Sequence, residues 1–145
     1  MTDLVQLACR ISSTRPADPV GLEIWFDNSQ IYNSEQVTDP VDFVYDFADD
    51  DADHHLRFVM KNKTARHTRI DADGNILTDS CVCIKNLSFD QIELGHVFVD
   101  HAVYQHDFNG TADAVQDRFF ETMGCNGTVS LKFTCPIYLW LLEHM

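Results

Sequence analysis

The run Asp49-Asp50-Asp51-Ala52-Asp53 places four carboxylates in five residues between two strand-like segments. Hard cations take six to eight oxygen ligands, and carboxylates on a loop are the side chains best suited to supply them. Asp49, Asp50, Asp51 and Asp53 are therefore candidate Ca2+ ligands, although the same run serves equally as a solvated loop. No cofactor beyond that Ca2+ is expected. Asp71-Ala72-Asp73-Gly74-Asn75 has some texture of a calcium loop, but its glycine arrives too early and no closing glutamate follows at the twelfth position. It reads as a turn.

Seven histidines raise the question of acid–base or metal chemistry. They form no HExxH or H-x-H pattern, and the adjacent His54 and His55 would point to opposite faces of a strand. His106-Asp107 could pair with Glu93 only if the fold brought them together. The five cysteines are odd in number and scattered, which suits small buried thiols better than a disulfide frame. Cys81-x-Cys83 is too tight for a zinc knuckle. With no GxSxG, P-loop or dinucleotide glycine pattern present, the chain is expected to be non-catalytic.

Two kinds of binding residue remain. Trp25 lies opposite the apolar Leu22/Ile24/Phe26 alternation, and Tyr32 opens the segment after it. Both are candidate platforms for a sugar ring, whose axial C–H groups match an aromatic face; interior packing is the alternative use. The ending Ile137-Tyr138-Leu139-Trp140-Leu141-Leu142 is dense in apolar side chains and costly to expose. It is expected to pack on the body of the protein or to form an interface with another subunit.

The elements that position these residues are mostly strands. Period-two alternation of apolar side chains recurs at 5–11, 22–26, 41–47, 56–60 and 129–135. The stretch Ser80 to Phe108 reads as three further strands broken near Asn86 and Gly95. Gly74 marks a hairpin between Ile70 and Ile76, and the two acids of 41–47 suggest a solvated edge. Thr111 to Met123 places Val115, Phe119 and Met123 on one helical stripe, so a short helix or a lid-like loop is expected there. The 145 residues are expected to form a single all-β domain, an antiparallel β-sandwich of jelly-roll type with at most one or two short helices.

Ten basic against 23 acidic residues give a formal charge of −13. That field repels phosphate backbones and anionic lipid, so neither nucleic acid nor a membrane is an expected partner. Protein surfaces, self-association and glycans remain. The first residues lack a basic stretch followed by an apolar one, so no secretion signal is expected.

The segments NLSFDQIEL, HVFVDHAVYQHDFNG and GTVSLKFTCPIYLWLLEHM resemble small β-sandwich virion proteins of tailed phages, especially those of cyanobacteria. NLSFDQIEL is also similar to strands of non-catalytic carbohydrate-binding sandwich modules. The first resemblance implies a structural or accessory virion component (capsid decoration, neck, tail or fibre), made in the host cytoplasm and acting through protein contacts. The second implies a carbohydrate-binding module, which the Asp49–Asp53 run would make Ca2+-assisted.

Overall fold

The computed structural model describes residues 3–145 and is an antiparallel β-sandwich with two short α-helices. Its strands are β1 (Leu4–Ser13), β2 (Gly21–Phe26), β3 (Ser29–Ser34), β4 (Val41–Ala48), β5 (Asp53–Lys61), β6 (Thr68–Ile70), β7 (Ile76–Asp79), β8 (Val82–Phe89) and β9 (Ile92–Glu93). After helix α1 (His96–His101) come β10 (Val103–His106), β11 (Val115–Arg118), β12 (Thr122–Met123) and β13 (Gly127–Thr134), and helix α2 (Ile137–His144) closes the chain. One sheet runs β12-β8-β1-β4 with β9 beside β8; the other runs β11-β10-β13-β5-β2-β3. The β6–β7 hairpin stands apart as a two-stranded sheet.

Alternation explains the layering. Val5, Leu7, Cys9 and Ile11 of β1 face Leu22, Ile24 and Phe26 of β2 and Leu56, Phe58 and Met60 of β5 across a single core, and all are buried. Phenylalanines fill the end of the sandwich near α2. The Phe26–Phe47 and Phe89–Phe133 ring centroids lie 4.8 and 4.9 Å apart, and Phe133 also meets Trp140 edge-on at 6.1 Å. β4 is an edge strand, as its outward acids suggest, and the 70–76 hairpin turns at Gly74 with a φ of 85°.

Three local expectations are corrected. Asn86 does not break the chain: it takes a φ of 58° inside β8, shifts the register between Ala8 and Arg10, and moves the buried parity from Ile84 to Leu87. The run around Val97 is a short helix and not a strand, because Val97 and Phe98 are buried side by side with Ala102 one turn on. Thr111 to Met123 is neither a helix nor a lid. β11 adds to the edge of β10 from Val103↔Arg118 to His106↔Val115, and Phe119 and Met123 reach the core from extended backbone. The β10–β13 approach is close at Gly127, where a side chain would overlap the Gln105 carbonyl and His106.

A trough on the six-stranded sheet and a histidine at its end

Pairing in the six-stranded sheet fixes which side chains share its outer surface. His55 of β5 pairs with Lys132 of β13, Ser130 pairs with both Arg57 and Val103, and Gln105 of β10 pairs with Gln116 of β11. Antiparallel partners point to the same face, so the alternation that buries Leu56, Leu131 and Tyr104 sends these polar residues outward.

Two depressions lie on that surface, with volumes of about 380 and 460 Å3. His55, Lys132 and Trp140 line both, so the two adjoin and are treated together as one trough. One end reaches Asp27, Asp53 and His54; the other reaches Gln105, Gln116 and His101. Each half falls within the roughly 300–1,000 Å3 typical of small-molecule sites. Helix α2 supplies the wall. Its indole Trp140 stacks on His144 at 4.5 Å, and His101 meets His144 edge-on at 4.6 Å. Burial, together with the charges of Arg57 and Lys132, lowers the pKa of His55 against the opposing charge of Asp27. Its buried Nε2 has no hydrogen-bond partner in the protein, and neither does Arg57 Nε. The trough thus combines planar amides, a hydroxyl, an ammonium group and an aromatic wall: donors and acceptors set beside apolar surface.

His54 sits at the inner lip, among the rings of Phe26, Phe47 and Phe133. Its Nδ1 lies 2.8 Å from Asp27 Oδ2, and its Nε2 lies 2.8 Å from Asp50 Oδ1. Burial opposes a charge on this ring, but hydrogen bonds to Asp27 and Asp50 and their charges outweigh it, so its pKa is raised. The His54 hydrogen bond holds the Asp50 carboxyl below its usual range. Cys135 lies beside this pair; burial, then its hydrogen bond to Asp49 and the nearby acids, pushes its thiol up to about 12.

The residues singled out from sequence are distributed as follows. Asp49 Oδ1 accepts the Ile137 N–H, Asp50 Oδ1 accepts the Ala52 N–H as well as facing His54, Asp51 is exposed, and Asp53 lines the trough. Among the described residues, Asp50, His54 and Cys135 are the set of three whose donor atoms all lie within 4.8 Å of one another; no three of the four aspartates do so. Trp25 is half-buried on the trough side of its sheet, with the Arg57 guanidinium 5.5 Å above its ring and Nε1 donating to Glu23. Tyr32 packs edge-on against Phe43 at 5.5 Å, at the rim of the core. Helix α2 divides the expected interface: Ile137, Trp140 and Leu141 are buried in this chain's own core, whereas Tyr138, Leu139 and Leu142 are exposed. His106 pairs with Asp117 at 3.2 Å and not with Glu93. Lys132, Ser130, Gln105 and Gln116 were not singled out from sequence, and His55 was weighed only as one of seven histidines. Their outward parity was the available signal, but it acquires meaning only once strand neighbours are known.

No protein-family model and no curated protein matches the chain. Among solved structures, it is similar to a chain described as vCBM60 in complex with galactobiose. The TM-score is 0.51 at 13% identity, and the match covers 87% of this chain and 96% of that one. This likeness lies in the fold: both are β-sandwiches. Among the described residues, no helix is long and apolar enough to cross a membrane.

Proposed function

We propose that this protein is a non-catalytic carbohydrate-binding β-sandwich that holds a short oligosaccharide in the trough of its six-stranded sheet. The trough itself carries the reading. Gln105 and Gln116 offer paired amide donors and acceptors for vicinal hydroxyls, Lys132 and Ser130 add further donors, and the exposed His101 ring, set edge-on to His144, offers planar surface for sugar C–H groups. A fold shared with a domain solved with a bound disaccharide supports it. The reading places the glycan on Lys132, Gln105 and Gln116 and not on Trp25, whose ring is already covered by Arg57.

The test is a glycan panel that includes galactobiose, followed by calorimetric titration of the best binder with and without Ca2+. Gln105→Ala combined with Gln116→Ala is expected to weaken binding about tenfold or more, since each lost hydrogen bond is worth about 0.5–1.5 kcal/mol. The melting temperature should stay within a few degrees, because both side chains are exposed. Binding indifferent to this double substitution would overturn the placement, and a panel without binders would overturn the function.

A second reading, an assembly protein of virion type, draws on one observation. Tyr138, Leu139 and Leu142 lie on one exposed face of α2, with Leu142 76% exposed. In that reading light scattering gives a stable oligomer, and Leu139→Asp with Leu142→Asp converts it to a folded monomer. A monomeric wild type removes this reading and leaves the glycan-binding one in place.

A further inference from the structure

We propose that Asp50, His54 and Cys135 form a binding site for a borderline divalent cation of the Zn2+ or Co2+ type. One oxygen, one imidazole nitrogen and one thiolate would serve as ligands, with water completing a tetrahedron. The three donor atoms already lie within 4.8 Å of one another, and ligands around a tetrahedral Zn2+, with bonds of about 2.0–2.3 Å, are somewhat closer than that. A small shift of the donor side chains closes the set.

Three features favour this chemistry over a hydrogen-bonded cluster alone. First, the donors differ in kind. A nitrogen and a sulfur favour Zn2+ or Co2+ over Ca2+, which takes oxygen. Second, Asp27 Oδ2 occupies His54 Nδ1 at 2.8 Å, which leaves Nε2, 2.8 Å from Asp50 Oδ1, as the nitrogen free to ligate. That is the carboxylate–histidine–metal arrangement, in which an outer carboxylate fixes the tautomer and orientation of the ligand. Third, Asp27 is itself held: its Oδ1 accepts the His55 N–H at 2.9 Å, and its carbonyl accepts from Arg57 at 3.0 Å. Binding displaces the proton on the Cys135 thiol and any proton carried by His54 Nε2, and these leave to solvent. The site draws on β5, the loop before it and the end of β13. It stands independently of the glycan reading, because none of its three ligands is among the side chains assigned to the sugar.

Co2+ titration of the reduced, full-length protein tests it. The wild type is expected to develop a thiolate-to-cobalt charge-transfer band and the intense visible absorption of a tetrahedral ion, and Zn2+ but not Ca2+ should displace the signal. Cys135→Ser should abolish the charge-transfer band. Because Cys135 is buried, circular dichroism must accompany this variant. Asp50→Asn, at a partly exposed position, provides the second variant and should weaken Co2+ binding at least tenfold. Asp27→Asn, a positioning change, should weaken it by about 10–100-fold while the thiolate band persists at saturation. Absence of the band in the wild type would overturn the proposal, as would its survival in folded Cys135→Ser or undiminished affinity in Asp50→Asn.

Discussion

Phe133→Ala is expected to destabilise the protein by about 3–5 kcal/mol, the range for removing a fully buried phenylalanine. Phe133 is 2% exposed and lies where both sheets and α2 meet. Its ring is 4.9 Å from Phe89 and 5.7 Å from Phe47 in the opposite sheet, 5.7 Å from His54, and 6.1 Å from Trp140 of α2. Truncation leaves a cavity that the strands on either side, held by their ladders, are poorly able to collapse around. It also removes the support behind Trp140, so the trough wall should loosen together with the core. Chemical denaturation checks the first effect. Increased quenching of tryptophan fluorescence by a neutral quencher checks the second. A loss below about 1.5 kcal/mol, the range of a conservative core change, would contradict this account of the packing.

Lys63→Met is expected to cost about 3 kcal/mol, of the order measured when one partner of a buried charge pair is removed. Lys63 is 5% exposed, and its ammonium group donates to Asp79 Oδ1 and to the Gly124 carbonyl, both at 2.5 Å. It therefore ties the end of β5 to the hairpin strand β7 and to the turn before β13. Asp79 also accepts from Thr68 at 2.7 Å. Burial alone would raise the Asp79 carboxyl, but hydrogen bonds from Lys63 and Thr68 and the Lys63 charge reverse that and leave it lowered. A carboxyl lowered by folding adds stability that is present above its unfolded pKa of about 3.9 and lost as pH falls through its folded value. The stability gap between wild type and Lys63→Met should thus be full near neutrality and narrow below about pH 4. Urea midpoints measured across that range check it; a gap independent of pH would show that the lysine acts through packing alone.

The strands were legible wherever one face is buried and the period stays at two. Leu56/Phe58/Met60 and Val129/Leu131/Phe133 are examples, and each is buried in the structure. Legibility failed where another interaction set the backbone. Val97, Phe98 and Val99 carry strand propensity, yet they lie in helix α1, with Val97 and Phe98 both buried, and the strand expected there begins only at Val103. The stripe Val115, Phe119 and Met123 fits a helix, yet the free edge of β10 recruits 115–118 as a strand, a tertiary choice that local spacing does not encode. The site shows the same division. Outward positions such as Lys132 and Gln105 follow from parity, but their convergence on one trough depends on the order β11-β10-β13-β5. Asp50 was visible as part of an acidic run. Its neighbours His54 and Cys135 were not visible as a set, because the pairing of β5 with β13 brings them together.

The measurement that tests the central claim most directly is a map of backbone and side-chain amide chemical shifts as the best-binding glycan is added to isotopically labelled protein. The trough account predicts that the largest changes fall on the Gln105 and Gln116 side-chain amides, on the Trp140 indole N–H and on the amides around Lys132 and His55, with the exposed face of α2 unaffected. Changes concentrated instead on Trp25 and Tyr32, or on Tyr138, Leu139 and Leu142, would contradict it.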